Sequence, residues 1–96
     1  MEERILTLHP DPGKQGVRIE RAKYELVAQA IQDAVRQHGE ITFKGLSQAV
    51  EERVQGRLEG SISWYVTTVK LDLEARGILA RVPGAKPQRL RLNEST

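Results

Sequence analysis

The stretch Ser61–Arg76, followed at once by Gly77, constrains the fold more than any other part of the chain. Four of its apolar residues recur at helical spacing and fall within a narrow arc of one helix face. They are Ile62, Val66, Val69 and Leu73. A helix this short persists only when such a face is buried, and Ser61 and Gly77 are suited to cap its two ends. The opposite face then carries Trp64, Thr67, Thr68 and Leu71.

The chain before this helix contains one strand pattern, one loop pattern and two helix patterns. The predicted elements are a strand over Arg4–Leu8, a loop over His9–Gly16, a helix over Glu20–His38 and a helix over Phe43–Val54. Gly39 is placed to stop the first helix, and Thr42 is placed to cap the second. The intervening Glu40–Thr42 is short and tolerates β structure. With 96 residues, the chain makes one domain.

Beyond Gly77 the hydrophobic period changes from that of a helix to that of a strand. Ile78–Val82 and Gln88–Leu92 predict two strands, and Pro83–Pro87 predicts the turn between them. In the second strand two leucines alternate with two arginines, which indicates a sheet with one buried and one solvent-facing side. The inward residues are Leu90 and Leu92, and the outward residues are Arg89 and Arg91.

Charge is distributed unevenly along the chain. Residues 1–75 hold 10 basic and 12 acidic side chains, whereas residues 76–92 hold five basic side chains and no acidic one. The five are Arg76, Arg81, Lys86, Arg89 and Arg91. Such a segment attracts an anionic partner, although the same pattern is also common on a solvated hairpin face.

The order helix, short strand, helix, turn, helix and β-hairpin resembles the winged helix-turn-helix family. Its most specific part is Val69–Arg81, where a Leu, a short mainly polar run and a Gly precede an aliphatic strand and an Arg. The helix start at Arg21–Tyr24, with the strand and Pro/Gly loop before it, is also similar to a small bacterial family of winged-helix proteins without established activity. The expected fold is therefore α+β: three helices, a C-terminal hairpin wing and an added N-terminal strand. The expected divisions are 1–19 (strand and loop), 20–92 (winged-helix domain) and 93–96 (polar tail).

In DNA-binding winged helices, the third helix enters the major groove and the wing contacts the DNA backbone. The resemblance therefore implies duplex DNA as a partner and implies a set of contact residues by position. The base-facing candidates are Ser63, Trp64, Thr67, Thr68 and Leu71, with Lys70 as a further DNA-binding candidate. The phosphate candidates are Arg81, Lys86, Arg89 and Arg91.

The face that carries Trp64 also supports a different hypothesis. It lacks the Arg, Asn and Gln side chains that make bidentate contacts with bases. Trp64 and Leu71 together form an apolar patch, and such patches often mark a protein interface. The second hypothesis is thus a module for protein interaction or homodimerisation through Trp64 and Leu71, without nucleic acid. A third interpretation is that the N-terminal strand or the Pro/Gly loop covers Trp64 and makes it part of the core.

Several functional classes lack support in the sequence. The absence of cysteine excludes disulfides, thiolate catalysis and cysteine–zinc sites. No apolar run approaches the roughly 20 residues that span a bilayer, and the acidic N-terminus is unlike a signal peptide. His9 and His38 lie in separate segments, and no phosphate-binding loop or metal-ligand spacing is present. We expect a cytoplasmic protein that is not an enzyme, binds no cofactor or metal and does not contact a membrane.

Overall fold

A computed structural model describes the fold of residues 3–93. Over these residues the helices are α1 (Arg21–His38), α2 (Phe43–Val54) and α3 (Ile62–Ala75). The strands are β1 (Arg4–Leu6), β2 (Arg18–Glu20), β3 (Glu40–Thr42), β4 (Leu79–Arg81) and β5 (Arg89–Leu92). The α+β class predicted from the sequence is confirmed, and the layout is compatible with a winged helix. The predicted polar tail over 93–96 lies almost entirely outside the described residues.

The three helices begin and end close to where their capping residues predict. The Thr42 hydroxyl accepts a hydrogen bond from the Gly45 backbone N–H (3.1 Å) at the start of α2. The Ser61 hydroxyl accepts one from the Trp64 backbone N–H (3.2 Å) at the start of α3. Gly77 follows α3 with φ +76°, a backbone conformation that disfavours side chains with a Cβ. These three ends therefore have a local chemical cause that is visible in the sequence.

The core is aliphatic and lies between the helices and one side of a small sheet. Val66, Val69 and Leu73 of α3 are buried as predicted, and Ile62 at the end of the helix is half-buried. They pack in one cluster with the inner face of α1, which presents Val27 and Ile31 among others. Each fully buried aliphatic side chain of this kind contributes about 1.5–3 kcal/mol. Tyr24, Phe43 and Tyr65 sit half-buried at the margin of the cluster.

The strand β3, which lies between α1 and α2 in the chain, joins the predicted hairpin to form a three-stranded sheet. Within the described chain, β5 lies between β3 and β4, and both pairings are antiparallel. Residues directly opposite each other share a sheet face, so Leu90 and its partner Ile41 both point into the core. Arg89 and Arg91 point to the opposite, exposed side, as the alternation predicts. The β-tolerant segment 40–42 is thus a strand that the sequence indicated only weakly.

The N-terminal strand is shorter than predicted and pairs within its own chain. β1 forms an antiparallel two-stranded sheet with β2, a strand that the sequence analysis did not identify, in the register Ile5 to Ile19. The Thr7 hydroxyl extends this pairing by donating to the Val17 carbonyl oxygen and accepting from the Val17 N–H, both at 2.9 Å. A Cβ on Gly16 would lie 1.7 Å from the Thr7 carbonyl oxygen, so only glycine allows this approach. We call residues 4–20 the N-terminal hairpin.

Candidate interaction surfaces

Trp64 lies on the open side of α3. Its residue surface is 46% exposed, and its ring meets the Tyr65 ring edge-on at a centroid distance of 5.0 Å. The interpretation in which the N-terminal strand or the Pro/Gly loop covers Trp64 is therefore wrong. Ser63 and Thr67 are exposed beside it, and the Thr67 hydroxyl donates to the Ser63 carbonyl oxygen (3.0 Å). The predicted sorting of α3 into an apolar inner face and a Trp-bearing outer face is confirmed.

Four accessible residues run along the outer face of α3 in a line that we call the α3 seam. They are Trp64, Thr68, Leu71 and Ala75, of which the first is exposed and the other three are half-buried. Their intervals of four, three and four residues keep them on one stripe of an α-helix. None of them carries a charge or an amide side chain. The seam therefore offers apolar and hydroxyl contacts but no group suited to bidentate recognition of a base.

Lys70, expected among the DNA-binding residues, is not part of this surface. Its side chain is buried, with Nζ 3.4 Å from Oε2 of Glu74 and 5.3 Å from the centre of the Phe43 ring. The position of residue 70 on the helix directs the side chain toward α2, because it lies between the inner stripe and the outer face. Its ammonium group is therefore paired with Glu74 inside the protein and is not accessible to a ligand.

Arg81, expected to bind phosphate, is also engaged within the protein. It lies opposite Leu90 in the register and so starts from the core-facing side of β4. Its Nε lies 2.6 Å from Oε1 of Glu74, whose side chain is almost fully buried, and this hydrogen bond raises the pKa of Arg81. Within residues 3–93, Oε2 of Glu74 has no hydrogen-bond partner, and the nearby Lys70 ammonium compensates its charge. The three ionic groups tie β4 to α3.

The remaining cations predicted for the wing, a name we use for the hairpin of β4 and β5 (residues 79–92), are exposed. Arg89 and Arg91 project from the outer face of β5, and Lys86 lies in the turn before it. None of the three forms an ion pair with any other group in residues 3–93. Glu40 lies opposite Arg91 in the register. Within residues 3–93, Glu40 is the one acidic side chain on that face of the sheet. Three cations are thus available on the wing.

One further cation lies near the wing and was not predicted from the sequence. Lys44 is exposed in the first turn of α2, two residues after Thr42, which pairs with Arg89 in the sheet. A single lysine at the start of a helix carries no signal in the sequence. Only the pairing of β3 with β5 brings this part of α2 next to the wing.

A buried carboxylate fastens the N-terminal hairpin to α3. Asp72 is fully buried and accepts hydrogen bonds from the Leu8 backbone N–H (2.8 Å), the Tyr24 hydroxyl and Nε of Arg76 (2.9 Å). Nη2 of Arg76 also lies 3.5 Å from the Leu6 carbonyl oxygen. Burial and the hydrogen bond to Asp72 raise the pKa of Tyr24 to about 12. The cluster uses the positive charge of Arg76 internally, so this member of the basic segment is also not free.

The hairpin and the end of α3 enclose a shallow concavity of about 450 Å³. Leu6, Leu8 and Pro12 of the hairpin and Ala75 of the seam form its apolar part. The rest of the lining comes from Thr7, His9, Asp11, Lys14, Gln15 and Gly16. The two leucines are 55% and 43% exposed, which is high for large apolar side chains. The concavity thus continues the seam onto the N-terminal hairpin, a connection that depends on contacts between residues far apart in sequence.

The two histidines have local roles. Nδ1 of His9 accepts from the Asp11 backbone N–H (3.0 Å), and Nδ1 of His38 lies 2.9 Å from the Ala34 carbonyl oxygen. Between residues 3 and 93, no three His, Asp or Glu side chains are grouped so that they could hold a metal ion. No helix in that range is long and apolar enough to cross a membrane.

The chain belongs to DUF6958, a family of unknown function, whose model matches residues 4–90. The match begins at β1 and extends into β5, so the N-terminal hairpin is part of the domain that defines the family. No curated protein and no solved structure matches the chain. The family and these comparisons thus assign no function to the wing or to the outer face of α3.

Proposed function

We propose that this protein is a winged-helix module that binds the phosphate backbone of duplex DNA through its wing. The observation that carries the proposal is the exposure of Lys86, Arg89 and Arg91 without an ion-pair partner among residues 3–93. Arg89 and Arg91 alternate on one strand and so share a sheet face. Cations aligned in this way match the repeated negative charge of a nucleic-acid backbone.

The proposed binding is independent of base sequence. Phosphate contacts provide affinity and position, whereas base contacts provide sequence specificity. The seam of α3 offers a base only the Thr68 hydroxyl and apolar groups, and Lys70 is directed into the protein. We therefore assign DNA binding to the wing and do not assign base recognition to α3.

A salt titration tests this proposal. Three neutralised phosphates give a slope of about −2.7 for the logarithm of affinity against the logarithm of salt concentration. Affinity for a random duplex, measured by fluorescence anisotropy, should then fall about 40-fold between about 50 and 200 mM salt. Replacing two cations, Arg89→Ala with Arg91→Ala, should leave one phosphate contact and a slope of about −0.9.

The matched control removes the same charge elsewhere. Arg18 and Arg57 are exposed and lie outside the wing, so Arg18→Ala with Arg57→Ala should keep the slope of the unaltered protein. Equal losses in the two double variants would show attraction by net charge alone and would contradict a site on the wing. Absence of binding at the lowest salt concentration would remove the proposal altogether.

A second candidate function is association with another protein through the outer face of α3. The observation that favours it is Trp64, 46% exposed on a seam without charge. Exposed tryptophans on apolar patches are frequent hot spots of protein interfaces. A photo-reactive amino acid at Thr67, with Glu51 on α2 as the control position, tests this in the protein's own cells. Adducts from position 67 alone support the candidate, and equal adducts or none from the two positions contradict it.

A further inference from the structure

We infer that two copies of this chain pair antiparallel along the α3 seam, with Trp64 of each copy seated in the concavity beside Ala75 of the other. The inference rests on the second candidate function, that the outer face of α3 binds protein, and is independent of DNA binding.

The spacing of the seam is the same when read from either end. Its intervals of four, three and four residues mean that an antiparallel copy presents an identical series of positions. In that register Trp64 lies opposite Ala75 of the second copy, and Leu71 lies opposite its Thr68. Large side chains thus meet small ones, which allows the two surfaces to interdigitate. The seam is about 16 Å long. An antiparallel copy has a seam of the same length, so Trp64 of each copy reaches Ala75 of the other at the same time.

The charge pattern of the seam is compatible with a second copy. In a two-fold symmetric contact the same patch is used on both subunits, so any charge near the axis would face its own equivalent. The seam carries no charge, and the flanking ionic residues Lys70, Asp72 and Glu74 are directed into the protein and paired there. Nothing on the seam repels a second copy, and the concavity is bordered by one acidic and one basic side chain, Asp11 and Lys14, whose formal charges cancel.

The concavity extends the apolar surface of the seam onto the N-terminal hairpin. A stable interface buries about 800 Å² on each partner, which four residues of one helix do not provide. Leu6 and Leu8 border the concavity of about 450 Å³ at the Ala75 end of the seam. In the antiparallel register the indole of the second copy arrives at this end. An aromatic anchor in a largely apolar pocket is a common form of an interface hot spot, and here symmetry makes two of them.

The hairpin that forms the concavity is held in place before any partner binds. The Leu8 N–H donates to the buried Asp72, and Arg76 links the same carboxylate to the Leu6 carbonyl oxygen. A surface that is already ordered loses little conformational freedom when the second copy docks. The concavity therefore does not need to be built at the moment of association.

Sedimentation velocity of the full chain tests the inference. The mass should rise from that of the 10.8 kDa monomer to twice that value as concentration increases. Trp64→Ala should weaken dimerisation by about 30-fold or more, the effect of removing a hot spot. Ala75→Trp places a large side chain in the concavity and should abolish dimerisation. The matched control is Val17→Ala, because Val17 is 40% exposed but shares the hairpin side of Thr7, away from Leu6 and Leu8.

The register can be tested separately because the chain contains no cysteine. A mixture of Thr68→Cys and Leu71→Cys chains should form mixed disulfides, whereas parallel pairing would link each variant to itself. A monomer at every concentration would overturn the inference, as would a dimer that survives Trp64→Ala or a predominance of self-linked over mixed disulfides. A monomer that still gives adducts from position 67 would refute the second copy while leaving the protein-binding role of α3 intact.

Discussion

The substitution Asp72→Asn should damage this fold more than any other change of a single charged group. Asp72 accepts hydrogen bonds from the Leu8 N–H, the Tyr24 hydroxyl and the Arg76 guanidinium, and it is fully buried. An amide in its place turns an acceptor into a donor that faces other donors. It also leaves Arg76 without its ionic partner.

The magnitude follows from these contacts. Hydrogen bonds to a charged group contribute about 1.5–3 kcal/mol each, and breaking a buried ion pair costs about 3–5 kcal/mol. Because Arg76 is partly exposed, we expect Asp72→Asn to lower the free energy of unfolding by an amount near the lower bound, about 3 kcal/mol. The total free energy of unfolding of a domain is about 5–15 kcal/mol. For a domain of this size the melting temperature should fall by roughly 12–24 °C.

Urea unfolding at concentrations where the chain is monomeric measures this loss. Asp33→Asn is the matched control, because Asp33 pairs with Arg36 on the surface of α1 at 3.0 Å and should contribute no more than about 0.5 kcal/mol. Hydrogen exchange of the Leu8 amide should accelerate in Asp72→Asn well before global unfolding. Equal losses for the two variants would refute the assignment of Asp72 as the residue that fastens the hairpin to α3.

Two further predictions concern other ionisable groups. Since the pKa of Tyr24 is raised from 10.0 to about 12 in the folded protein, its contribution to stability is complete below pH 10 and is lost as pH rises toward 12. The stability difference between the native chain and Tyr24→Phe should shrink over that range in urea titrations; a constant difference would contradict the hydrogen bond to Asp72. Lys70→Met should leave the affinity for DNA and its salt slope unchanged in anisotropy titrations, because the ammonium is buried against Glu74. A loss as large as that of Arg89→Ala would show that Lys70 reaches the DNA.

The elements predicted correctly are those whose cause is local. Helical periodicity placed Val66 and Trp64 on opposite faces of α3, and capping by Ser61 and Gly77 placed its ends. Two-residue alternation placed Leu90 inside the sheet and Arg89 outside it. Each of these properties depends on neighbours within a few residues, so the sequence is sufficient to predict it.

The features that escaped prediction depend on contacts between distant residues. β2 spans three residues directly before α1, which is too short for an alternation to be recognised. The engagement of Arg81 by Glu74 depends on β4 folding back along α3, and the docking of Leu8 on Asp72 joins residues 64 positions apart. The sequence identified the basic segment correctly as a group of charges, but only the fold separates those used internally from those exposed on the wing.

The exposure of Trp64 is the premise of both the second candidate function and the dimer, and it can be measured directly. Trp64 is the single tryptophan of the chain, so its fluorescence reports this site alone. At concentrations where sedimentation gives the monomer mass, the emission should be that of an indole in water and should be quenched readily by acrylamide. As the dimer forms, the emission should shift to shorter wavelength and quenching should decrease. Short-wavelength emission that is protected from acrylamide in the monomer would contradict the orientation of α3.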